Sequence, residues 1–404
     1  MQVAWRSCSG LKPELQGQKM SEYNSTPHVV ILMAHAGGGH RSAALSLAEA
    51  LEGQARVTLL NLLDDYTPFP FNRMSEAYGP WVNRAPWLYR LVYQLGASRQ
   101  RVVLAKRAVY PLVRQRLARA LINAQPDLVI SVHPLQTDVP LWLLRRAHSR
   151  APFVTVVTDP VSPPVAWFCP NVDLCIVATE AARACALKAG MDPYKVRVIG
   201  LPVRRAFVAA RDQPKPAARA RLGLDPQRPL LLMTGGGAGI GRLVPLARAV
   251  TRRLALEGGR VQVAIIAGSN RALQSRLRAE TWPLPVVVLG FVEAMADWLA
   301  AADLLITKAG PGTLAEAACV GVPVIITGFV PGQEEGNVAW VKESGAGTFE
   351  PKPERVAALV SEWLRPGNPI LAEMAARARA MAKPEAAQQI AQAALELIRQ
   401  PVPA

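Results

Sequence analysis

The residues best suited to chemistry lie in a segment that runs from Lys308 to Asn337. An apolar stretch at 303–307 leads into the turn KAGPGT at 308–313, and helix-forming residues follow it. A helix start offers unpaired backbone N–H groups and a positive dipole end, which together suit a phosphate. Glycines let the backbone approach a ligand closely, and Lys308 adds a positive charge. The segment therefore predicts a strand, turn and helix that hold a phosphate group.

Glu316 allows two interpretations. Thr313 and Glu316 have the spacing of a capping box, in which the threonine caps the helix and the glutamate reaches back to the cap. Alternatively, the carboxylate accepts hydrogen bonds from both hydroxyls of a ribose. The residues alone leave both interpretations open.

His40 is the candidate for proton transfer. It follows three glycines that close the apolar stretch 28–34, so we expect its ring to project from the carboxyl end of a strand. Imidazole titrates near neutral pH, which suits a general base that activates an alcohol. The alternative is a helix cap or a packing residue with satisfied nitrogens. His133, in the turn VHPLQ at 132–136, is a second candidate for the same cleft.

The elements that must position these residues alternate between short apolar strands and helices. This rhythm predicts α/β structure with parallel sheets covered on both faces. Strands are expected at 28–34, 57–60, 128–132, 153–157, 174–178, 230–234, 262–267, 286–290, 303–307 and 324–327. Helices are expected at 41–51 and, alanine-rich, at 372–399.

A chain of 404 residues exceeds what one hydrophobic core usually organises, which favours two domains. The strand and glycine-turn unit occurs twice, at 28–40 and at 230–241, so we predict two Rossmann-like domains that face each other across a cleft. The predicted division is a disordered leader at 1–27, a first domain at 28–205, a proline-bearing linker at 206–228, a second domain at 229–385, and a C-terminal helix and tail at 386–404.

Composition excludes several classes of protein. The apolar runs are shorter than the roughly 20 residues of a membrane span, and the first 23 residues lack the apolar core of a signal peptide. The five cysteines show no paired spacing, which argues against a disulfide framework or a zinc site. Asp64-Asp65 precedes Pro68 and is typical of a turn or helix cap, so we expect no metal site. These features predict a cytoplasmic protein.

The net charge of +16 is unevenly distributed. The window 77–126 contains no Asp or Glu, and its basic residues alternate with Trp and Tyr. Such a mixture is typical of a surface that lies among the headgroups of an anionic membrane. The alternative is a solvated basic helix face above buried aromatics. Nucleic acid is a less suitable partner, because the chain has no recognised binding motif for it.

Several motifs resemble one family of glycosyltransferases. GFVEAMADWL at 290–299, KAGPGTLAEA at 308–317 and PGQEEGNVAWV at 331–341 match it closely, together with AGGGHR at 36–41 and VHPLQTDVP at 132–140. The family is that of the lipid-directed GT-B glycosyltransferases, which includes monogalactosyldiacylglycerol synthase and the processive diacylglycerol glucosyltransferases. The N-acetylglucosaminyltransferase of peptidoglycan lipid synthesis is a more distant relative. The likeness spans nearly all of 28–350.

The resemblance implies roles for individual residues. It places uracil near Phe291 and Val292, gives the ribose to Glu316, and assigns the donor sugar to Gln333 and Glu334. It places the diphosphate of a UDP-sugar on two groups of residues, Lys308, Gly310, Pro311, Gly312 and Thr313, and Gly235, Gly236 and Gly237. Relatives commonly carry an acidic residue and a methionine where this chain has Ala238 and Ile240, and their usual His-Arg-Ala-Ser-Ala is His-Arg-Ser-Ala-Ala at 40–44.

The expected reaction is transfer of galactose or glucose from a UDP-sugar to diacylglycerol, with His40 as base, inversion at the sugar and no cofactor or metal. The acceptor is expected beside Gly38, Gly39, Trp81, Trp87 and His133, with the enzyme bound peripherally to the inner face of the cell membrane. Two alternatives are a UDP-sugar 2-epimerase of the same fold and a non-catalytic protein that binds polyanions. The first would need further carboxylates in the cleft.

Overall fold

The structure is a computed structural model that describes residues 26–35, 38–75, 87 and 98–399. Two parallel six-stranded sheets organise it, each with its own core. The expected α/β class and the division into two Rossmann-like halves are confirmed.

The first sheet has the strand order β2-β1-β3-β4-β5-β6. Its strands are β1 His28–Leu32, β2 Arg56–Leu60, β3 Leu128–Ser131, β4 Phe153–Val156, β5 Leu174–Val177 and β6 Val196–Val198. Most are runs of Val, Ile and Leu with no solvent contact, because helices cover both faces of the sheet. Leu32 pairs with Ser131, so β1 and β3 end at the same level, and the turns that follow them lie side by side.

Helices complete the first domain. They are α1 Gly39–Ala50, α2 Leu62–Tyr66, α3 Arg99–Ala124, α4 Asp138–Arg146 and α5 Glu180–Lys188. Asp64 and Asp65 lie in the first turn of α2, where Asn61 accepts a hydrogen bond from the backbone N–H of Asp64. The pair therefore lies at a helix start, as expected, but the capping residue is Asn61 and not either aspartate.

The second sheet has the order β12-β11-β10-β7-β8-β9. Its strands are β7 Leu230–Thr234, β8 Gln262–Ile266, β9 Val286–Leu289, β10 Leu304–Lys308, β11 Val324–Gly328 and β12 Gly347–Phe349. The helices around it are α6 Arg205–Ala210, α7 Lys215–Arg221, α8 Leu243–Leu256, α9 Arg271–Arg278, α10 Met295–Ala301, α11 Pro311–Val320, α12 Glu335–Ser344, α13 Pro353–Trp363 and α14 Ile370–Met381, and α15 Ala386–Arg399 follows. Each sheet reverses its strand order beside its first strand, between β1 and β3 and between β7 and β10, and such switch points are where ligands bind in α/β sheets.

The segment expected as a linker, 206–228, is largely folded. It contains α7 and most of α6, whose residues Phe207 and Ala218 are buried in the core of the second sheet. Arg219 and Lys215 both donate to the carboxylate of Asp303, which fixes α7 beside β10. The prolines that suggested a linker instead include Pro216 in the first turn of α7, a position that proline tolerates.

The alanine-rich C-terminal region forms two helices rather than the single one expected at 372–399. It breaks at residues 382–385, which include Pro384. α14 packs near the second sheet, whereas α15 returns to the first, where Ile390 and Ala394 join Leu47 of α1 in one core. Among the helices of the described residues, none is long and apolar enough to cross a membrane.

Candidate functional site

A cavity of about 1940 Å³ lies between the two sheets, at the carboxyl ends of their strands. Both domains contribute to its wall. The residues expected at the site that line it are Gly38, Gly39, His40, His133, Gly236, Gly237, Phe291, Val292, Lys308, Gly310, Pro311, Gly312, Thr313, Glu316, Gln333 and Glu334.

The turn after β10 carries the start of α11 into this cavity. The helix begins at Pro311 with Gly310 as its cap, so Thr313 lies inside the first turn and is not the cap. Of the two interpretations of Glu316, the capping box with Thr313 is therefore wrong, because proline, with its fixed φ and missing N–H, starts the helix three residues earlier. The amino end of α11 approaches that of α1, and a Cβ atom added to Gly312 would lie 3.6 Å from the Cα of Gly39.

Glu316 reaches across the cleft. One of its carboxylate oxygens accepts a hydrogen bond of 2.9 Å from the hydroxyl of Ser42, on α1 of the other domain. Burial raises the pKa of Glu316 to about 7, while the Ser42 hydrogen bond and the charge of Arg204 act in the opposite direction. The carboxyl group consequently titrates near neutral pH, and its ionised form can accept hydrogen bonds from a ligand in the cleft.

Lys308 and Glu334 form a buried ion pair beside this helix start. Lys308 donates to one carboxylate oxygen of Glu334, and the backbone N–H of Val330 donates to the other at 2.9 Å. Glu334 is 2 % exposed. Both oxygens of Glu334 thus have donors within the protein, and the residue holds Lys308 in place.

The glycine turn after β7 forms the wall next to Lys308. Gly236 has φ +73°, a conformation that favours glycine, and a Cβ atom there would lie 3.5 Å from Cε of Lys308. A Cβ at Gly235 would lie 2.3 Å from the backbone oxygen of Ile240, so Gly235 shapes the turn from behind and does not line the cavity. Asn337 fixes the turn after Lys308, because its amide donates to the backbone oxygen of Ala309 at 2.9 Å.

Phe291 and Val292 follow β9 at the outer end of the cavity. Phe291 is 59 % exposed, whereas Val292 packs against the core of the second sheet. A partly exposed ring beside a backbone turn is a suitable wall for a planar base.

His40 lies in the first turn of α1, after Gly38 with φ +80°. Its Nδ1 lies 2.8 Å from the backbone oxygen of Val132, at the end of β3, and 3.1 Å from the hydroxyl of Thr158. A carbonyl oxygen can only accept, so Nδ1 carries the proton and Nε2 has a lone pair. Burial lowers the pKa of His40 to about 4, partly offset by the bond to Val132. The ring is therefore neutral at pH 7 and can accept a proton at Nε2.

His133 lies beside His40, with 4.6 Å between the ring centroids. Its Nδ1 accepts from the backbone N–H of Leu135 at 3.3 Å, which leaves the proton of the neutral ring on Nε2. Burial, and then the proximity of His40, hold the pKa of His133 well below its usual value. His133 thus shapes its own turn and lines the cavity.

Asp159 is a buried acid of the site that sequence reasoning missed. It follows β4, and its carboxylate accepts from Nε1 of Trp167 at 2.6 Å and from Nε2 of Gln333 at 3.2 Å. Burial raises the pKa of Asp159 to about 6, against the effect of both hydrogen bonds. Its position directly after the expected strand 153–157 was the one available signal, since polar residues at strand ends face such clefts. Thr158, Ser42 and Arg204 also line the cavity and were not expected.

Neither tryptophan expected beside the acceptor belongs to the described part of the cavity wall. Trp81 lies outside the described residues, and Trp87, which is 70 % exposed, is not among the described residues that line the cavity. Exposed apolar side chains of the first domain border the cavity instead: Phe69, Met74 and Leu135. We refer to these three residues as the apolar lip.

Most of the described part of the acid-free window forms α3. Arg101, Arg114, Arg116 and Arg119 are exposed, as are the apolar residues Leu104 and Leu112. Val113, Leu117 and Leu121 face the core. The helix therefore presents a face that is both basic and partly apolar.

The described ranges contain no group of three or more His, Cys, Asp and Glu side chains placed to hold a metal ion.

Comparisons with known proteins match both halves of the chain. Residues 40–203 match the family model of monogalactosyldiacylglycerol (MGDG) synthase, and residues 230–390 match the C-terminal domain of glycosyltransferase family 28. Monogalactosyldiacylglycerol synthase 1, chloroplastic, of Arabidopsis thaliana is 38 % identical over 383 residues, covering 92 % of this chain and 71 % of that protein. The fold is similar to that of MurG from Acinetobacter baumannii (TM-score 0.60, 18 % identity, 92 % and 99 % of the two chains). It is also similar to that of Anabaena Alr3699/HepE in complex with UDP-glucose (TM-score 0.55, 15 % identity, 92 % and 100 %).

Proposed function

Since the chain belongs to the monogalactosyldiacylglycerol synthase family and is a glycosyltransferase of GT-B fold, we propose that it transfers a hexose from a UDP-sugar to the hydroxyl of diacylglycerol. The product is a β-glycosyl diacylglycerol. Galactose is the hexose we favour, because the relatives' names specify it. Glucose is the competing hexose, and experiment must distinguish UDP-glucose from UDP-galactose as the donor.

One observation carries this proposal. His40, with an unprotonated Nε2, faces the start of α11 and Lys308 across a single cavity, so a base and an anion site lie on opposite walls. Each lies at the switch point of its own sheet. This arrangement suits a reaction in which an alcohol loses a proton on one side and a diphosphate leaves on the other.

The mechanism is a single displacement. The acceptor oxygen attacks the anomeric carbon while its proton passes to Nε2 of His40, and the bond from that carbon to the diphosphate oxygen breaks with its electron pair going to UDP. Attack opposite the leaving group inverts the α-linked sugar to β. The charge on UDP is stabilised by Lys308 and by the backbone N–H groups at the amino end of α11.

Three residues hold the remainder of the nucleotide in this proposal, and two more lie beside the sugar. Glu316 accepts hydrogen bonds from the ribose hydroxyls, which suits a carboxyl group that titrates near neutral pH. Phe291 and the backbone of Val292 flank the uracil, and Gln333 contacts the sugar. Glu334 contacts the sugar beside it and also holds Lys308 in place.

Diacylglycerol reaches His40 over the apolar lip in this proposal. The exposed side chains of Phe69, Met74 and Leu135 provide a surface for the acyl chains, with His133 behind them. The exposed arginines of α3 draw the first domain to anionic headgroups, each contributing about 1 kcal/mol. We propose peripheral binding to the inner face of the cell membrane on this basis.

The activity test is incubation of the purified chain with diacylglycerol vesicles and a panel of UDP-sugars, followed by lipid chromatography. A β-galactosyl diacylglycerol is the expected product. Absence of any glycolipid, with UDP still bound, would contradict the proposed acceptor. Conversion of a UDP-sugar to its 2-epimer would support the alternative reaction instead.

Vesicle flotation tests the membrane surface. Reversing Arg114, Arg116 and Arg119 to Glu removes three contributions of about 1 kcal/mol, so affinity for anionic vesicles should fall at least about a hundredfold. The matched control reverses Arg252, Arg260 and Lys352, which are exposed on the second domain. Equal losses in both variants, or equal binding of the parent chain to neutral vesicles, would contradict this surface.

A further inference from the structure

Asp159, which follows a strand of the first sheet, accepts a hydrogen bond from a residue of the other domain. It is 3 % exposed, and its carboxylate bridges Trp167 of its own domain and Gln333 of the other. Gln333 lies in the turn between β11 and α12 and lines the cavity beside Asp159. The hydrogen bond between these two side chains joins residues 174 positions apart.

The chemistry of this hydrogen bond fixes its direction. An ionised carboxylate only accepts, so the amide of Gln333 must turn its Nε2 toward Asp159. The amide group is planar, and its oxygen and nitrogen point apart. Its carbonyl oxygen consequently points away from Asp159, whereas the opposite orientation would bring two acceptors together.

The neighbouring residue differs in kind. The carboxylate of Glu334 accepts hydrogen bonds from Lys308 and from the backbone N–H of Val330, which fix its position, and it can only accept. Of the two consecutive residues expected to contact the sugar, Gln333 is therefore the one whose orientation decides whether the sugar meets a donor or an acceptor.

The domains are also held close at this point. A Cβ atom added to Gly336, in the first turn of α12, would lie 2.9 Å from Oγ of Ser162, three residues after Asp159. Side chains of the first domain thus lie against the backbone of α12 at this point, which keeps Gln333 within reach of Asp159.

We propose that Asp159 is a positioning residue that orients the Gln333 amide, so that its carbonyl oxygen accepts a hydrogen bond from a hydroxyl of the donor sugar. The inference rests on the proposed function, in which Gln333 contacts that sugar. Because Asp159 acts only through Gln333, its loss affects the reaction of the sugar-bearing nucleotide and leaves the affinity for UDP alone unchanged.

Reversing the hydrogen bond tests this. In Asp159→Asn, the asparagine oxygen accepts from Trp167 and its nitrogen faces Gln333, so the Gln333 amide must turn and present a donor to the sugar. In Asp159→Asn/Gln333→Glu, the asparagine nitrogen donates to one carboxylate oxygen, and the other oxygen again faces the sugar as an acceptor. Total charge is the same as in the parent chain.

The measurements are kcat and KM for UDP-galactose and UDP-glucose with diacylglycerol vesicles at pH 8, and Kd for UDP by calorimetry. We expect Asp159→Asn to lower kcat/KM tenfold to a hundredfold for the better donor, with Kd for UDP within about twofold of the parent value. The double variant should recover at least tenfold of that loss. Gln333→Glu alone should lose as much as Asp159→Asn, because it opposes two carboxylates. Asp212→Asn, at an exposed site, is the charge control and should match the parent chain.

Two results would overturn the inference: a double variant no more active than the poorer single variant, or single variants that lose UDP affinity in step with kcat/KM. If Asp159→Asn fails to fold, recovery from Gln333→Glu to the double variant decides the question in the same way. Failure of the proposed function gives a different pattern, since the parent chain would then bind UDP and form no glycolipid from either donor.

Discussion

The pH dependence of turnover gives the sharpest test of His40 as the base. Burial places the pKa of His40 at about 4, so at pH 5 only about a tenth of the rings should be protonated. A histidine with an ordinary pKa of about 6.5 would be almost fully protonated at pH 5. Because only the neutral ring accepts a proton, protonation of His40 should by itself lower kcat less than about twofold between pH 7 and pH 5, against about 25-fold for an unperturbed histidine.

The assay measures kcat at saturating UDP-galactose and diacylglycerol, in the same vesicles from pH 5 to pH 8. His40→Ala should lower kcat by about 10²–10⁴-fold, the usual contribution of a general base, and should retain UDP. Calorimetry with UDP at each pH serves as the control for folding.

Two results would refute this reasoning. A 25-fold fall between pH 7 and pH 5 that persists in Asp159→Asn would show that the ring of His40 is not desolvated. A His40→Ala variant with more than a tenth of parental kcat would show that it is not the base. A fall with a midpoint near pH 6 that disappears in Asp159→Asn belongs instead to Asp159, whose pKa burial raises to about 6.

Four further predictions concern the groups that are proposed to hold the nucleotide. The parent chain should lose UDP affinity as pH falls through about 7, because Glu316 then becomes protonated, and Glu316→Gln should abolish this loss. Only the titration of UDP's own terminal phosphate, near pH 6, should remain in the variant. Calorimetry measures UDP affinity against pH for both proteins, and parallel curves would contradict the role of Glu316. The same variant should raise the melting temperature of the nucleotide-free protein at pH 8 but not at pH 5, because burial raises the pKa of Glu316 by destabilising its ionised form. The shift represents roughly 3 kcal/mol in the free energy of unfolding. Solvent reaches part of the side chain, so we expect a gain of about 1–2 kcal/mol. Lys308→Met should destabilise the fold by about 3–5 kcal/mol, because the buried carboxylate of Glu334 loses its cation. Lys308→Met/Glu334→Met should recover stability, measured by unfolding in urea, without recovering UDP affinity. Recovery of both would show that Lys308 does not contact the diphosphate. Chelators should leave the turnover of the purified chain unchanged, and strict dependence on Mg²⁺ or Mn²⁺ would contradict a diphosphate held by Lys308 and backbone N–H groups.

The regular elements could be read from the sequence because apolar strands and glycine turns are local signals. Expected strands such as 230–234 and 153–157 agree with the structure to within one residue. β6 and β12 were missed, since three residues are too few to show a periodic pattern. The segment 206–228 was misread because the same prolines that end a helix can also begin one.

The site was predictable where residues follow a strand end in a glycine-rich motif, as for His40 and Lys308. It was not predictable where a side chain finds its partner across the cleft. The contact between Ser42 and Glu316 joins positions 274 residues apart, and no local pattern records it. The same holds for Asp159, whose partner Gln333 belongs to the other domain.

The return of α15 to the first sheet constrains the order in which this protein is made. Ile390, Ala391 and Ala394 complete the core beside α1, yet the ribosome synthesises the whole second sheet before these residues emerge. The part of this core that α15 covers must therefore remain open, with its apolar side chains exposed, through the translation of more than 300 residues. Vectorial folding alone cannot finish the first domain.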